Sequence, residues 1–120
     1  MIILIARFEV DPSALTALRP LLDTTMRATW EESDCLSYSI AVESEAAGVI
    51  SVVERWRSEA ALLDYLATPA MTAFGDALNV VVISMDAHVY DVTGERALPP
   101  PPAFQARPTL TLVVGSGVGV

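Results

Sequence analysis

The order of strand-like and helix-like segments is the feature of this sequence that most limits how it can fold. Residues 2–10 are β-branched and aromatic, which predicts a strand, and the following Asp11-Pro12-Ser13 has the composition of a helix start. From Ser13 to about Glu32, apolar residues recur every three or four positions, as they do on one face of an amphipathic helix. The chain therefore begins with a strand followed by a helix.

Two more strands and further helical segments follow this pair. Two segments of alternating composition are separated by the short turn 44–48, which predicts a β-hairpin. Ser58, and then Thr68 before Pro69, are residues typical of helix starts. The predicted segments are strands over 35–43, 49–56 and 80–92, a helix over 59–67, and a short helix through Met71, Phe74 and Leu78.

This order of elements is that of the split βαβ pattern. It predicts an α+β, ferredoxin-like fold with a four-stranded antiparallel sheet and its helices on one face. Two helices cannot cover both faces of such a sheet, yet in the first strand Ile3 and Ile5 share the second face with Arg7 and Glu9. Full burial of each isoleucine would stabilise the protein by roughly 1.5 to 3 kcal/mol. We therefore expect a homodimer in which two sheets pack face to face.

Charge and composition exclude several classes of partner and cofactor. The chain of 120 residues carries 7 Lys+Arg against 15 Asp+Glu, a net charge of −8, so we expect no nucleic-acid partner. A single cysteine, Cys35, and a single histidine, His88, cannot form a disulfide framework or a Cys/His zinc site. No glycine-rich phosphate loop precedes a helix, so neither a nucleotide nor a metal cofactor is implied.

Further expectations concern cellular location and domain organisation. No apolar run approaches the roughly 18 to 20 residues that span a bilayer, and no signal-peptide pattern is present, so we expect a cytoplasmic protein without a membrane partner. The length favours one domain, which we place at residues 1–95. Residues 96–120 are a Pro-rich tail whose segment 109–114 has strand propensity, and two alternatives stay open, an added strand or a disordered tail.

Four blocks of sequence occur in an order typical of one protein family. They are Ile-Ala-Arg-Phe-Glu-Val-Asp-Pro from residue 5, Cys-Leu-Ser-Tyr from residue 35, Val-Val-Glu-Arg-Trp-Arg-Ser-Glu-Ala-Ala-Leu from residue 52, and Tyr-Leu-Ala-Thr-Pro-Ala-Met from residue 65. Over about residues 1–93 the chain resembles the antibiotic biosynthesis monooxygenase domain family. The resemblance implies a dimeric α+β barrel. The activities it implies are diverse, because the family includes cofactor-independent oxygenases of polyphenols or quinols, haem-degrading enzymes and small-molecule isomerases.

The sequence departs from this family at positions that would carry chemistry. Histidines that are common in the family's second-helix block are replaced here by Tyr65 and Ala70. The axial histidine of the haem-degrading branch would fall near Gly75, so haem iron has no evident ligand and we do not expect haem degradation. An asparagine and a tyrosine of the polyketide-oxidising branch correspond to Val52 and Leu62.

Two residues are candidates for direct contact with a substrate. Trp56, at a strand end and within a family block, would stack on a flat aromatic ring, and the alternative is a packed strand-end aromatic. Arg7 lies in a mainly apolar strand. It would hold a phenolate or carboxylate, and the alternative is an ion pair with Glu54 or Glu9 at the dimer interface.

Four more residues are candidates for proton transfer or for substrate binding. Histidine ordinarily titrates near neutrality, which makes His88 a candidate base, although a lone strand histidine also suits a surface or interface. Tyr65 is the second candidate for proton transfer. Tyr38 and Phe74 are candidates for substrate binding, although a tyrosine also suits a half-buried position. Cys35 follows acidic residues that disfavour its thiolate, so we expect inert packing.

The main functional hypothesis is an oxygenase that uses neither flavin nor metal. A cavity between sheet and helices would hold a small electron-rich aromatic, a base would form its anion, and the anion would reduce O₂. In this hypothesis Trp56 stacks on the substrate, Arg7 holds the anion, and His88 or Tyr65 transfers the proton. The alternatives are a non-catalytic ligand-binding or interaction dimer, and an isomerase or cyclase of a small metabolite on the same fold.

Overall fold

This computed structural model describes residues 1–102 of the chain, and the strands and helices lie within residues 2–91. None of its helices is long and apolar enough to cross a membrane. Segment 109–114, with its predicted strand propensity, lies outside the described residues. In chain order the elements are β1 (Ile2–Val10), a 3-10 turn (Pro12–Ala14), α1 (Leu15–Thr29), β2 (Cys35–Ser44), β3 (Val49–Trp56), α2 (Glu59–Leu66), α3 (Pro69–Asn79) and β4 (Val82–Asp91).

The four strands form one antiparallel sheet in the order β2-β3-β1-β4. This order, with β3 and β1 in the middle, is that of the split βαβ pattern, so the predicted ferredoxin-like α+β fold is confirmed. Both central strands begin and end at the predicted residues. The last strand begins at Val82 instead of Val80, because the N–H of Val81 bonds to the C=O of Leu78 (2.9 Å) and prolongs the end of α3.

Side-chain caps mark the starts of the second and third helices, as their sequences indicate. The Ser58 hydroxyl accepts the backbone N–H of Ala61 at 3.1 Å, and the Thr68 hydroxyl accepts that of Met71 at 3.3 Å. Each cap satisfies an N–H that the first turn of a helix leaves without a backbone partner. The first helix is shorter than predicted, because a 3-10 turn precedes it and ordinary turns follow it.

The hydrophobic core lies between the helices and one face of the sheet, which we call the helix face. Successive side chains of a strand point to opposite faces, so only alternate residues of each strand reach this core. Full burial of one such apolar side chain contributes about 1.5 to 3 kcal/mol. The buried residues of the main core cluster are Ala6, Val10, Leu15, Leu18, Leu22, Tyr38, Ile40, Ile50, Val52, Phe74 and Leu78.

The opposite side of the sheet, which we call the outer face, is exposed and partly apolar. Ile5 of β1 lies directly across from Val53 of β3, and the two are 41% and 43% exposed. His88 of β4 flanks Ile5 on its other side. β1 thus presents apolar side chains on both faces, as its sequence indicates, and the homodimer remains a prediction.

Gly48, in the turn between β2 and β3, provides a test of this fold. Its φ is positive (70°), its C=O accepts the N–H of Val10 at 2.8 Å, and a Cβ there would collide with the carbonyl oxygen of Val10. An alanine at Gly48 would suffer both the strain of a left-handed backbone conformation and this collision. Gly48→Ala should therefore lower the free energy of unfolding, measured with urea, by at least about 2 kcal/mol.

The control for that substitution is Gly94→Ala. A Cβ at Gly94 meets no atom within 4 Å, so this variant should change stability by less than about 0.5 kcal/mol. Equal unfolding free energies for the two variants would contradict the role assigned to the Gly48 turn.

Candidate functional site

A cavity of about 360 Å³ lies between the helix face of the sheet and α3. Most of its lining is apolar, and the polar side chains in it are Tyr38, Glu54 and Asn79. A predominantly apolar pocket with a few convergent polar groups is the usual form of a small-molecule site. The apolar lining side chains include Leu4, Ala6, Phe8, Val52, Met71, Phe74 and Leu78.

Glu54 is the only carboxyl group in that lining. Successive side chains of β3 point to opposite faces, so Glu54 points to the helix face with Val52 and Trp56, and this residue is only 6% exposed. Its Oε1 accepts the indole N–H of Trp56 at 2.8 Å. Burial raises the pKa of the Glu54 carboxyl, and the hydrogen bond from Trp56 opposes this shift only in part.

Trp56 does not line the cavity and is 1% exposed. Its ring packs against that of Tyr65, with centroids 5.1 Å apart and planes tilted by 35°. The structure therefore places the indole behind Glu54, where it acts as a hydrogen-bond donor to the carboxylate instead of a surface on which a substrate could stack.

The hydroxyl of Tyr65 is held by α1 instead of facing the cavity. Thr29 Oγ1 donates to the C=O of Thr25 at 2.7 Å, which leaves it to accept the hydroxyl of Tyr65. Burial is the main cause that raises the pKa of Tyr65. This side chain is thus fixed in the core and its proton is committed to a protein acceptor.

Tyr38 and Phe74, the two predicted substrate-binding residues, are both buried and both line the cavity. Tyr38 of β2 lies directly across from Glu54 of β3 in the sheet register. Burial is the largest cause that raises the pKa of Tyr38, and the charge of Glu54 adds to it. Its hydroxyl therefore stays protonated near neutral pH and can act as a hydrogen-bond donor.

Arg7 and His88 lie on the outer face, on the other side of the sheet from Glu54. Arg7 forms an ion pair with Glu43, in which its Nε donates to Oε1 at 3.1 Å. The sequence-based alternative named Glu54 or Glu9 as the partner, and within one chain the partner is neither of them. His88 Nε2 lies 2.8 Å from Asp86 Oδ1. Both side chains are exposed.

Strand register explains why the candidate residues divide into two groups. Trp56 pairs with Ile2 of β1, whose side chain is in the core, whereas His88 pairs with Ile5, whose side chain is on the outer face. Alternation within β1 then places Arg7 on the same side as Ile5. One chain therefore does not bring Arg7 or His88 together with Trp56 and Tyr65.

Sequence reasoning considered Glu54 only as an ion-pair partner and missed it as a site residue. The signal was available, because Glu54 lies between Val52 and Trp56 at the buried positions of an alternating strand. A charged residue at such a position is rare unless it is paired or functional. Over residues 1–102, no group of three or more His, Cys, Asp or Glu side chains is arranged to hold a metal ion.

Comparison with known proteins identifies relatives of this chain. The family model described as antibiotic biosynthesis monooxygenase matches residues 1–77. Rv0793 of Mycobacterium tuberculosis, named a putative monooxygenase, is 42% identical over 65 residues, which are 54% of this chain and 63% of that protein. The aligned part thus spans less than two thirds of that relative.

Solved structures extend the similarity to most of the described residues. The structure of Rv0793 matches with a TM-score of 0.70 and 30% identity, over 80% of this chain and 98% of that one. The structure of a putative antibiotic biosynthesis monooxygenase from Deinococcus radiodurans matches with a TM-score of 0.75 and 25% identity, over 83% of this chain and 100% of that one.

The raised pKa of Glu54 predicts a pH-dependent contribution to stability. Between its unfolded value, near 4.5, and its higher folded value, the native protein holds more protons than the unfolded chain, so stability falls as pH rises through this window. Glu54→Gln removes this dependence and keeps an acceptor for Trp56. The unfolding free energy of wild type minus that of Glu54→Gln should be highest below pH 4.5 and should decline with increasing pH.

Urea unfolding from about pH 4 to about pH 8 makes this measurement. Glu9→Gln, which alters an exposed glutamate of β1, is the control and should not reproduce the decline. A wild-type minus Glu54→Gln difference that stays constant with pH would contradict the raised pKa of Glu54.

Proposed function

The chain belongs to the antibiotic biosynthesis monooxygenase family, and from that premise we propose that it oxidises a small electron-rich aromatic with O₂, using neither flavin nor metal. The observation that supports this proposal is the apolar cavity of about 360 Å³ that contains a single carboxyl group. This volume is at the lower end of the range for small-molecule sites and fits a small ring system. Its apolar walls suit aromatic rings, and its polar groups suit a phenolic hydroxyl.

An electron-rich phenol can supply all the electrons that this reaction needs. For 1-naphthol, one atom of O₂ is inserted at the ring carbon para to the hydroxyl and the other leaves as water, giving 1,4-naphthoquinone. The substrate loses four electrons and O₂ gains four, so no external reductant is required. The protein contributes removal of the phenolic proton, exclusion of water and orientation of the anion.

A ligand-binding protein without catalytic activity is the second candidate function. It is favoured by the engagement of Trp56 and Tyr65 with protein partners, and by the position of Arg7 and His88 outside the cavity. The two functions differ in one observable. Both allow 1-naphthol to bind, but only the monooxygenase consumes O₂ as the quinone forms.

We also propose that the protein is a homodimer joined through the outer faces of two sheets. Ile5, Val53 and Tyr90 expose apolar surface there. Two polar groups beside them already have partners in the same chain, because Arg7 pairs with Glu43 and the His88 ring nitrogen lies 2.8 Å from Asp86 Oδ1. An interface on this face would therefore bury apolar area without leaving these two groups unpaired.

The oligomeric state tests this interface. Wild type should sediment at twice the chain mass of 12.8 kDa at micromolar concentration, and Val53→Asp should sediment as a monomer, because it places a charge at the centre of the outer face. Leu63→Asp, at an exposed position on α2, should remain dimeric. A monomeric wild type, or a dimeric Val53→Asp, would contradict the proposed interface.

Gly75 allows the cavity to be filled without disturbing the core. It lies in α3 and lines the cavity, and a Cβ there meets no atom within 4 Å. Gly75→Leu should therefore abolish oxygen uptake with 1-naphthol while the helix gains intrinsic propensity, by up to about 1 kcal/mol. Ala77→Leu, at an exposed position of the same helix, should keep wild-type uptake in an oxygen electrode.

Three results would reject the proposal. They are no oxygen uptake by wild type with any of a panel of hydroquinones and naphthols, equal uptake by Gly75→Leu and wild type, or uptake that requires added flavin or metal. Binding of 1-naphthol without uptake would favour the second candidate function.

A further inference from the structure

We infer that Glu54 is the catalytic base of this site and that Trp56 is its positioning residue. Oε1 of Glu54 is held by the indole N–H, and Oε2 is the atom that takes the hydroxyl proton of a phenol bound in the cavity. The inference rests on the proposed function and deepens it, because it defines the substrate class by an ionisable aromatic hydroxyl. It assigns proton transfer to neither His88 nor Tyr65.

The two oxygens of Glu54 have different surroundings. Oε1 has its partner in Trp56, whereas no hydrogen-bond donor among residues 1–102 reaches Oε2. Every fully enclosed side-chain oxygen or nitrogen of the described residues has a hydrogen-bond partner, so Oε2 must keep some accessible surface. The cavity is the opening that Glu54 lines, and Oε2 is therefore the acceptor available to a bound molecule.

The other polar groups of the cavity cannot serve as the base. The hydroxyl of Tyr38 has a raised pKa and stays protonated near neutral pH, so it is a donor. The amide of Asn79 is not basic. Of the candidates outside the cavity, His88 is on the outer face and the hydroxyl of Tyr65 is bonded to Thr29.

No positive charge near Glu54 counteracts the effect of burial. The titratable side chains that interact with its charge are Tyr38 and Cys35 from β2 and Tyr65 from α2, and burial raises the pKa of each. β1 contributes Leu4 beside it, and no charged side chain of α1 or α3 lines the cavity within the described residues. The carboxylate is consequently a stronger base than an exposed glutamate, which suits the removal of a phenolic proton.

The proton can be followed through the reaction of 1-naphthol. The O–H bond breaks, its electron pair stays on the naphtholate oxygen, and the proton forms an O–H bond with Oε2. After O₂ has joined the para carbon, Glu54 returns this proton to the peroxide. The electron pair of the C–H bond at that carbon then forms the second C=O bond while the O–O bond breaks, and the departing hydroxide takes the released proton and leaves as water. The carboxylate ends as it began.

The first test compares Glu54→Gln with wild type across pH. The amide keeps an acceptor for Trp56 but cannot accept a proton, so kcat for 1-naphthol should fall at least about 100-fold while KM changes by only a few-fold. The rise of wild-type kcat/KM with pH, set by ionisation of Glu54, should be absent in the variant. Glu9→Gln should keep both the rate and the profile of wild type.

A phenol that is already ionised at the assay pH separates proton transfer from a structural role. In 2-nitro-1-naphthol the para carbon is free and the hydroxyl is already ionised, so its oxidation needs no base for the first proton transfer, and Glu54→Gln should oxidise it at a rate within about tenfold of wild type. A variant that merely misfolds the cavity would lose this activity as well. Equal losses with both substrates, or a Glu54→Gln variant that oxidises 1-naphthol like wild type, would overturn the inference.

Trp56→Phe tests the positioning residue. Removal of the indole N–H takes away the one interaction that lowers the pKa of Glu54, so the rise in kcat/KM should shift to higher pH. Above the raised pKa of Glu54 in the variant, the rate should recover. If the dependence of kcat/KM on pH does not shift, Trp56 is not the positioning residue of Glu54. A uniform loss at every pH would show that its contribution is packing alone.

The inference and the proposed function can fail separately. Should wild type consume no O₂, calorimetric binding of 1-naphthol still tests Glu54. Affinity that depends on pH in wild type and loses this dependence in Glu54→Gln would support the contact and reject only the oxygenase. Binding that is pH-independent and equal in the two proteins, or absent from wild type, would overturn the assignment of Glu54.

Discussion

A single hydrogen bond, from the indole N–H of Trp56 to Oε1 of Glu54, holds a carboxyl group inside an apolar cavity. A charge-assisted hydrogen bond of this kind contributes about 1.5 to 3 kcal/mol, and the desolvation of a carboxylate costs several kcal/mol. One bond therefore does not offset burial, and the pKa of Glu54 is raised. Groups kept in such an unfavourable state concentrate at functional sites, which is why the candidate chemistry is assigned here.

The two-residue period of the strands separates the polar side chains of this protein into two sets. Glu54 and Tyr38 point toward the helices and line the cavity, whereas Arg7, His88 and their acidic partners point to the outer face. The first set lies in a poorly solvated environment, which raises the pKa of the carboxyl group of Glu54. The second set is solvated and internally paired, which suits a surface between two copies of the chain.

Most of the fold could be predicted from the sequence, because its signals are local. Strand propensity and alternation defined β1 and β3 to the residue, and the caps at Ser58 and Thr68 defined the starts of α2 and α3. The site was harder to predict because it depends on register between strands. Whether Arg7 and Trp56 share a face is decided by the pairing of Ile2 with Trp56, which no local pattern encodes.

The position of a bound phenol tests the central claim, that the chemistry belongs to the helix face, most directly. Intermolecular nuclear Overhauser effects between 1-naphthol and the methyl groups of the protein would locate the ring. The account predicts contacts to Met71 and Leu78, which line the same cavity as Glu54. Contacts confined to Ile5 and Val53 would place the ligand on the outer face and contradict it.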